Sequence, residues 1–443
     1  MSDLFADLGI NKPLLQSLVD LEISVPTDIQ KKTIPALLHQ KEDLVALAKT
    51  GTGKTAAFGL PLLQLINTKN TEVQAVILAP TRELGQQIYT NLLSFATHSP
   101  AISIASVCGG IPIKPQIERL QEVTHIVVAT PGRLIDLVQR KAVSIEKVKY
   151  LVLDEADEMV SALQKDLDII VSEIPKSRRT ILFTATMPGT VKQMIQNYMS
   201  KHVVNLEADM AQMGHKGIEH QYVVVEPIEK LEVLLHFLNS KEGERGIIFC
   251  RTKAAVNKLA KKLAISKISS GAIHGSLSQG IRDRIMGQFR EGYIDILIAT
   301  DLAARGIDVK ETSYVVNYHL PDTYEAYVHR SGRTARAGSE GLSVSIIQQE
   351  ELSKIPDFER ELGLVFTELK KQNPENREET NLVLWAKKVF KTKPNRTISE
   401  ETKEKIKILF HHLTKEELIE KVVADTYSQR KADTIEKPTS QKK

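Results

Sequence analysis

Short apolar runs alternate with amphipathic segments along most of the chain. The runs are rich in β-branched residues and predict buried strands, whereas segments such as Glu83–Ala96 and Lys114–Gln121 have helical spacing. This rhythm predicts an α/β fold with parallel, doubly wound sheets. The first series of predicted strands is Leu44–Ala48, Val73–Leu78, Ile102–Val107, Ile126–Val128, Tyr150–Leu153 and Thr180–Phe183. The second series is Gln221–Val225, Gly246–Cys250, Ser270–Ile273, Ile294–Ala299, Tyr314–Asn317 and Leu342–Ile347.

A polar stretch separates the two series of strands. Ala208–Gly217 contains glycine and shows no periodicity, which is typical of a hinge. The sequence therefore predicts an N-terminal domain over residues 1–207, a linker over 208–218 and a C-terminal domain over 219–363.

The pattern changes in residues 364–443. Lys370–Thr380 is almost entirely polar and predicts a connector, and Ser399 is a plausible helix start because two glutamates follow it. From Gln429 onward the chain is polar and charged, which predicts a disordered basic tail. Between these segments apolar residues recur at helical spacing and predict a small helical extension: Ile406, Leu409, Phe410, Leu413, Leu418, Ile419, Val422 and Val423.

Length and composition limit the class of protein. A chain of 443 residues is too long for one core, and 42% apolar with 26% charged residues is typical of a globular protein. No apolar run approaches the length needed to cross a bilayer, and no leader precedes the first helix. The two cysteines have no metal-ligand or disulfide spacing, so we expect a cytoplasmic protein without a membrane partner.

Positive charge is concentrated at the end of the chain. Residues 391–443 carry 13 basic and 9 acidic side chains, a surplus of 4, and the whole chain carries 59 and 55, also a surplus of 4. Residues 1–390 are therefore neutral overall, and any contact they make with a polyanion must come from local arrangement.

A glycine-containing loop follows the apolar run Leu44–Ala48 and precedes a helical segment. Backbone N–H groups in such a turn converge on one point, where a helix N-terminus adds partial positive charge. Lys54 could then reach β- and γ-phosphates, and the Thr55 hydroxyl could bind Mg²⁺. Ala48 stands where this motif usually has its first glycine. The predicted phosphate loop is Lys49, Thr50, Gly51, Thr52, Gly53, Lys54 and Thr55.

An acidic motif follows the apolar run Val148–Leu153. Adjacent carboxylates at the carboxyl end of a parallel strand lie where ligands bind in open α/β sheets. Asp154 is placed to hold Mg²⁺, and Glu155 to orient and deprotonate an attacking water. Together with the phosphate loop, this pattern predicts half of an NTPase site.

A run dense in cations lies in the second series. It begins at His329, and its two later arginines, Arg333 and Arg336, are three residues apart and therefore predicted on one helical face. If this face met the phosphate loop, the guanidinium groups would stabilise the transition-state charge and raise the rate by about 10³–10⁵. A basic helix face in solvent is the alternative interpretation.

These motifs, taken together and in order, resemble those of DEAD-box RNA helicases, a branch of the superfamily-two helicases, across roughly residues 3–363. The motifs are Phe5 with Pro26–Gln30, Ala48–Thr55, Pro80–Leu84, Gly109–Gly110, Thr130–Arg133, Asp154–Asp157, Thr184–Thr186, Ile248–Thr252, Gln279 with Arg282, Thr300–Asp301 with Ala304–Asp308, and His329–Arg336. The resemblance implies two tandem RecA-like domains, ATP and Mg²⁺ as cofactors, and RNA-stimulated ATP hydrolysis.

The resemblance also implies roles for individual residues around the nucleotide. Gln30 would bind the adenine edge, Asp308 the ribose, and Arg333 and Arg336 the γ-phosphate, while His329 would link the nucleotide to the domain interface. Phe5, Ile23 and Thr27 complete the implied nucleotide site. The residues implied in coupling ATP to RNA are Asp157, Thr184, Thr186, Gln279 and Arg282.

RNA contacts are implied on both domains, and their residue types suit phosphates and 2′-hydroxyls rather than bases. With 5% aromatic residues, a base-stacking platform is less expected than backbone recognition, which implies sequence-independent binding to single strands and short duplexes. The residues are Thr81, Arg82, Gly110, Thr130 and Arg133 on the first domain and Arg251, Thr252, Gly275 and Thr300 on the second.

The chain departs from the family pattern at three places. Glu22-Ile23 replaces the usual glycine and aromatic residue, which puts adenine stacking in doubt; Thr184 replaces serine and is expected to keep a bond to the acidic motif. Ala335 replaces a glycine between the two arginines, a change expected to be tolerated within a helix.

Two further points stay open at this level. Trp385-Ala386 and the helical segment after it resemble the dimerisation extension of some bacterial cold-shock-type members, so residues 380–435 could form a homodimer or pack on their own second domain. A DNA-directed helicase and an ATP-dependent RNA clamp are alternative functions. A plain P-loop kinase is disfavoured because it leaves the second series of strands unexplained.

Overall fold

Two parallel seven-stranded sheets follow one another along the chain in the computed structural model, which describes residues 3–48, 51–208, 217–304, 312–335, 340–369, 386 and 399–435. The first sheet contains β1 (Asp43–Leu47), β2 (Ala75–Leu78), β3 (Ile104–Val107), β4 (Ile126–Ala129), β5 (Tyr150–Leu153), β6 (Arg179–Thr184) and β7 (Val203–Glu207). The second contains β8 (Ile218–Val224), β9 (Gly246–Phe249), β10 (Ser270–Ile273), β11 (Ile296–Ala299), β12 (Tyr314–Asn317), β13 (Gly341–Ile347) and β14 (Phe366–Glu368).

Helices connect the strands. Those before and within the first sheet are α1 (Asp3–Ala6), α2 (Lys12–Asp20), α3 (Asp28–His39), α4 (Lys54–Leu65), α5 (Arg82–Phe95), α6 (Lys114–Leu120), α7 (Pro131–Gln139), α8 (Ala156–Glu173) and α9 (Gly189–Tyr198). Those of the second sheet are α10 (Lys230–Ser240), α11 (Lys253–Ile265), α12 (Gln279–Arg290), α13 (Asp301–Ala304), α14 (Tyr324–Ser331), the 3₁₀ helix Gln349–Lys354 and α15 (Ile355–Leu362).

Successive strand residues face opposite sides of the first sheet, and both sides are buried. Leu44 and Ala46 of β1 belong to one hydrophobic cluster, whereas Val45 belongs to another. This alternation follows from the two-residue period of a strand. Because helices cover both faces, the strands read as continuous apolar runs, which is why the sequence located them. The predicted α/β architecture is confirmed.

The second sheet repeats the topology of the first. The strand order is β3-β4-β2-β5-β6-β1-β7 in one and β10-β11-β9-β12-β13-β8-β14 in the other, so each strand of the first sheet has a counterpart seven strands later. The register agrees: Ala75 of β2 lies opposite Tyr150 of β5, and Gly246 of β9 lies opposite Tyr314 of β12. The ends of corresponding strands can therefore be compared residue by residue.

The sequence missed two of the four edge strands, β7 and β14. Residues of β7 are half-buried or exposed, and two of the three residues of β14 are exposed. An edge strand with one solvated side lacks the apolar run of a central strand. Since β14 pairs with β8, the second sheet continues past residue 363, where the sequence placed its end.

Both sheets belong to one compact unit that ends at Leu369, and the helices after residue 399 belong to another. Those helices are α16 (Glu400–Phe410) and α17 (Lys415–Ile435). Ser399 accepts a hydrogen bond from the Thr402 N–H at 3.2 Å, so the predicted helix start is confirmed. Helix α17 continues to Ile435, beyond Gln429, so the disorder predicted from that residue is wrong for this stretch. Residues 209–216 of the predicted linker and the whole predicted connector, Lys370–Thr380, lie outside the described residues.

Candidate nucleotide and RNA site

The phosphate loop turns sharply into α4. Gly51 and Gly53 have φ values of 82° and 84°, a region that favours glycine, and Gly53 caps the helix that Lys54 begins. A Cβ atom at Gly53 would lie 2.3 Å from Gln30 Nε2, so the close approach also requires glycine. Lys49 and Thr50 lie outside the described residues. The described part has the predicted strand–loop–helix geometry.

Residues ahead of α3 hold this loop in place. The Thr27 hydroxyl donates to the Thr52 carbonyl at 2.8 Å, and Gln30 Nε2 donates to the Gly53 carbonyl at 3.1 Å. Gln30 Oε1 accepts from the Thr27 N–H at 2.9 Å. An amide offers two hydrogens and two lone pairs, so Gln30 retains one of each for a base edge. Its described contacts tie the start of α3 to the phosphate loop.

Two residues of the implied nucleotide site lie against the hydrophobic core. Phe5 is 1% exposed and lies inside it. Ile23 is half-buried against the same core. Glu22 before it has φ of 57°, a conformation that costs a side-chain-bearing residue about 1–2 kcal/mol. A glycine would avoid this cost.

The acidic motif directly faces Lys54. Lys54 Nζ lies 3.3 Å from Asp154 Oδ1, and both side chains are buried. Burial alone would lower the pKa of Lys54, but the carboxylates of Asp154, Glu155 and Asp157 raise it, so the ammonium stays charged. Burial raises the pKa of Asp154 despite the lysine, and Glu155 raises it further. The pocket therefore places one ammonium group among the carboxyl groups of Asp154, Glu155 and Asp157.

Glu155 has two features of a functional residue. It is 3% exposed with φ of 54°, in the left-handed region, and its Oε2 atom has no hydrogen-bond partner among the described residues. A buried oxygen without a partner and a strained backbone both cost stability. Together they point to a ligand, such as a bound water, as the missing partner of the carboxylate.

The same carboxyl groups bear on Mg²⁺. The described residues contain no cluster of three or more histidine, cysteine or carboxylate side chains that could hold a metal ion. Mg²⁺ commonly uses one or two protein ligands and completes its shell with phosphate and water. Asp154 and the half-buried Thr55 next to Lys54 fit this mode.

The acidic motif also contacts the second sheet. His329 Nε2, on α14, lies 3.4 Å from Asp157 Oδ2 and 3.5 Å from Glu158 Oε1. Thr186 donates to the same Asp157 oxygen through its N–H at 3.0 Å and its hydroxyl at 2.7 Å. The sequence expected Thr184 to make this bond; its hydroxyl instead donates to the Thr186 carbonyl at 2.7 Å. Glu158 was missed, although it continues the acidic run.

We expect the His329 contact to give the enzyme an alkaline limit. Burial lowers the pKa of His329, but the hydrogen bond and charge of Asp157, with Glu158 and Glu155, raise it above 6.5 overall. The contact is thus fully present below 6.5 and is lost as pH rises through the raised value. RNA-stimulated kcat measured between about pH 6 and about pH 9 should fall on the alkaline side. His329→Gln should remove the alkaline fall in kcat. A pH profile unchanged by the substitution would contradict the assignment of that fall to His329.

The arginine run does not continue as a helix. Helix α14 ends at Ser331, and Arg333 lies beyond the Gly332 cap with its Nε donating to the His329 carbonyl at 3.3 Å. Ala335 has φ of 54°, so the expectation that a helix accommodates this alanine is wrong, as is the shared helical face. Arg336 and Asp308 lie outside the described residues. Arg333 is buried and lines a cavity of about 20 Å³ together with Glu158.

A second contact between the sheets involves a residue without a predicted role. Arg282 Nη2 lies 3.0 Å from Glu83 Oε1, and Gln279 Nε2 donates to the same oxygen at 3.4 Å. Arg282 also donates to the Ala303 carbonyl at 3.1 Å. Gln279 and Arg282 therefore bridge α12 to the start of α5. Glu83 could have been found from its place beside the implied RNA contact Arg82.

The implied RNA contacts of the first sheet surround three strand ends. Thr81 caps α5 by accepting from the Leu84 N–H, and Arg82 Nη1 donates to the Gly110 carbonyl at 3.4 Å. Thr130 Oγ1 accepts from the Gly109 N–H at 3.0 Å. Arg133 Nη2 donates to the Ile111 carbonyl at 3.0 Å, and its Nη1 has no partner among the described residues.

The contacts of the second sheet occupy corresponding positions. Counting from the paired strands, Thr252 after β9 corresponds to Thr81 after β2, and it likewise caps its helix by accepting from the Ala255 N–H at 3.1 Å. Thr300 after β11 corresponds to Thr130, and Gly275 after β10 corresponds to Gly109. The half-exposed Arg251 lies 3.3 Å from Asp322. The fold thus presents two similar sets of small polar groups.

None of the helices that the structure describes is long and apolar enough to cross a membrane. Both cysteines are buried free thiols.

Comparison with known families matches three segments. Residues 27–194 match the DEAD/DEAH box helicase model, and residues 229–338 match the helicase conserved C-terminal domain. Residues 378–429 match a model described as the helical domain of a probable ATP-dependent RNA helicase.

Individual proteins give the same result. The chain is 38% identical to the DEAD-box ATP-dependent RNA helicase CshA of Geobacillus kaustophilus, over 80% of this chain and 76% of that protein. It is 40% identical to the probable ATP-dependent RNA helicase MJ0669 of Methanocaldococcus jannaschii, over 83% and 98%.

Solved structures agree with the fold. Saccharomyces cerevisiae Dbp5 bound to RNA and ADP BeF3 is 29% identical with a TM-score of 0.77, over 86% of this chain and 98% of that one. Mss116p bound to single-stranded RNA and AMP-PNP is 29% identical with a TM-score of 0.75, over 86% and 81%. With its motifs in order and two repeated sheets meeting at the acidic motif, the chain is a member of the DEAD-box family of ATP-dependent RNA helicases.

Proposed function

We propose that this chain binds RNA through its backbone without sequence preference and separates short duplexes locally. Its two sheets close on RNA and ATP together, and hydrolysis then reopens them. The observation that carries the proposal is the composite pocket, in which His329 and Arg333 of the second sheet meet Asp157 and Glu158 of the first. If the pocket is complete only when the two sheets close, hydrolysis depends on the ligands that close them, RNA and ATP.

The residues of the first sheet would bind the triphosphate and prepare the water. Lys54 and the loop Gly51–Gly53 would hold the phosphates, and Glu155 would orient and deprotonate the attacking water. Thr55 and Asp154 would hold Mg²⁺, which supplies positive charge to the phosphates when bound. Gln30 would select adenine through its remaining donor and acceptor.

Residues of the second sheet would complete the site. Arg333 and Arg336 would stabilise charge on the γ-phosphate, and Asp308 would bind the ribose. His329 would signal closure through Asp157, and the pair Glu83–Arg282 would hold the sheets together next to Arg82. Loss of the γ-phosphate would remove one shared ligand and favour opening.

RNA would lie across the two sets of strand ends. Hydroxyl groups, glycine backbones and the guanidinium groups of Arg82, Arg133 and Arg251 suit phosphates and 2′-hydroxyls, which carry no sequence information. A path imposed by closure that differs from an A-form duplex would part base pairs locally. The affinity should weaken with salt, as phosphate contacts do.

The helical extension suits a contact with a second copy of the chain. Apolar side chains on α16 and α17 are exposed in the part of the chain that the structure describes, including Leu409 at 75%. We propose a homodimer through residues 380–435 and a cytoplasmic location, which the two free thiols fit.

Single-stranded RNA should raise ATP turnover of the full chain by at least about tenfold, because the arginine contact depends on closure. Single-stranded DNA of the same sequence should have a much smaller effect, since it lacks 2′-hydroxyls. Phosphate release measured with each polymer tests this, and release of one strand from a short duplex distinguishes a helicase from a clamp. Equal stimulation by DNA, or RNA binding without duplex release, would contradict the proposal.

A further inference from the structure

Three consecutive carbonyl groups after β12 each accept a hydrogen bond from a different cationic side chain. The Tyr318 carbonyl accepts from Lys230 Nζ at 3.1 Å and the His319 carbonyl from Arg330 Nη1 at 2.8 Å. The Leu320 carbonyl accepts from Arg251 Nη2 at 3.4 Å. We refer to residues 318–320 as the carbonyl segment.

The three cationic side chains belong to different elements of the second sheet. Arg251 belongs to the implied RNA contacts, next to Thr252. Arg330 lies on α14 between His329 and Arg333, and its Nη2 binds Asp301 at 2.8 Å. Lys230 begins α10 and has no role in the site described so far. The carbonyl segment therefore connects the RNA side of the second sheet to the helix that reaches the acidic motif.

Lys230 is the counterpart of Lys54 in the repeated topology. Each lysine is the first residue of the helix that follows the corresponding strand, β1 or β8. Within each sheet, β5 lies two strands away from β1 and β12 lies two strands away from β8. Lys54 contacts Asp154, the residue directly after β5, and Lys230 contacts Tyr318, the residue directly after β12. In the first sheet the ammonium meets a carboxylate in a phosphate site, whereas in the second it meets a backbone carbonyl.

The loop before Lys230 does not resemble a phosphate site. In place of glycines it carries Glu226 and Glu229, and the Glu226 N–H donates to Glu229 Oε2 at 3.0 Å. Carboxylates there would repel a triphosphate. The ammonium of Lys230 therefore has a different use from that of Lys54.

Burial of the Lys230 ammonium group lowers the stability of the fold unless the charge makes compensating contacts. The residue is 6% exposed. Among the described residues no carboxylate lies within 4.0 Å of its ammonium group, which contacts the carbonyl and the ring of Tyr318. Burial lowers the pKa of Lys230; the charge of Glu351 raises it, and the charge of Arg251 lowers it further. Burial and then the charges of Lys230, Arg251 and Arg330 lower the pKa of His319 to about 4, as expected where three cations converge.

We propose that Lys230 is a positioning residue that fixes the carbonyl segment so that RNA contact at Arg251 and the placement of α14 depend on each other. The inference rests on the proposed RNA-stimulated ATPase. Loss of the ammonium group removes the hydrogen bond to the Tyr318 carbonyl. The carbonyl segment is then fixed only by Arg251 and Arg330 and becomes less rigid. RNA would then bind with less effect on hydrolysis, while the nucleotide pocket of the first sheet is untouched.

The test compares Lys230→Met, Lys230→Arg and the exposed control Lys258→Met in the full chain. For Lys230→Met we expect a rise of at least fivefold in the RNA concentration for half-maximal stimulation and at least a fivefold fall in RNA-stimulated kcat. The KM for ATP without RNA should stay within twofold. Lys230→Arg should recover most of the loss, and Lys258→Met should behave as the parent protein.

A double-substitution cycle with Arg251→Gln separates positioning from a general loss of structure. If Lys230 acts through Arg251, the double variant should be little worse than Arg251→Gln alone in its response to RNA. Additive losses, or an unchanged response of Lys230→Met, would overturn the inference. Should Lys230→Met fold poorly by thermal melting, Lys230→Gln is used in the same cycle. An absence of RNA stimulation in the parent protein would instead overturn the proposed function itself.

Discussion

Replacement of Glu155 by glutamine is expected to reduce RNA-stimulated ATP turnover by at least about 10²–10⁴-fold, the usual contribution of a general base. The amide is almost isosteric and leaves the backbone at φ 54° and the neighbouring Lys54–Asp154 pair in place. It cannot accept the proton of the attacking water. Binding of ATP and closure should therefore persist.

RNA affinity of this variant is the informative measurement. We expect tighter RNA binding with ATP than without it, because the closed state accumulates when hydrolysis cannot reopen it. Glu173→Gln, an exposed change at the end of the same helix, serves as the matched control. Equal RNA affinity with and without ATP would show that closure is not driven by nucleotide binding.

Replacement of Arg333 by alanine should lower RNA-stimulated kcat by about 10³–10⁵-fold, as for other arginines that stabilise phosphoryl-transfer charge. The guanidinium is buried and held by the His329 carbonyl, close to Glu158 of the first sheet. Arg333→Lys should recover only part of the loss because a single ammonium cannot contact two oxygens at once.

The KM for ATP separates two explanations of such a loss. If Arg333 acts on the transition state, kcat should fall with little change in KM. Arg360→Ala removes an exposed arginine that pairs with Asp357 at 2.7 Å and should leave kcat unchanged. A large rise in KM with unchanged kcat would instead assign Arg333 to ground-state binding.

Central strands could be predicted from the sequence because burial on both faces gives them a continuous apolar pattern. Helices α5 and α6 could be predicted from the helical spacing of their apolar residues. Strands β7 and β14 could not, since each has a solvated edge and only part of its residues are buried. The end of α14 was also missed. The run Ser331–Ala335 contains Gly332, a local signal for the end of a helix, which caps α14. Beyond it the Thr334 hydroxyl donates to the Thr312 carbonyl, a contact that local sequence does not indicate.

Residue types and order predicted the strand–loop–helix geometry around Lys54 and the position of Asp154 after a strand, since a phosphate loop and an acidic motif depend on local sequence. The contacts that join the sheets depend on atoms far apart in the chain. Thus Thr186 rather than Thr184 binds Asp157, and Glu83 and Glu158 acquire partners that no local pattern could supply. The burial of Phe5 in the core likewise depends on contacts that no local pattern indicates.

The duplicated topology has a consequence for what the enzyme can discriminate. Polynucleotides are themselves repeats with a fixed direction, from 5′ to 3′. Two protein modules carrying threonines at matching strand ends, Thr81 with Thr252 and Thr130 with Thr300, would offer the same chemical groups to two sugar–phosphate units. Such an enzyme would recognise the repeat of the backbone while ignoring the order of its bases.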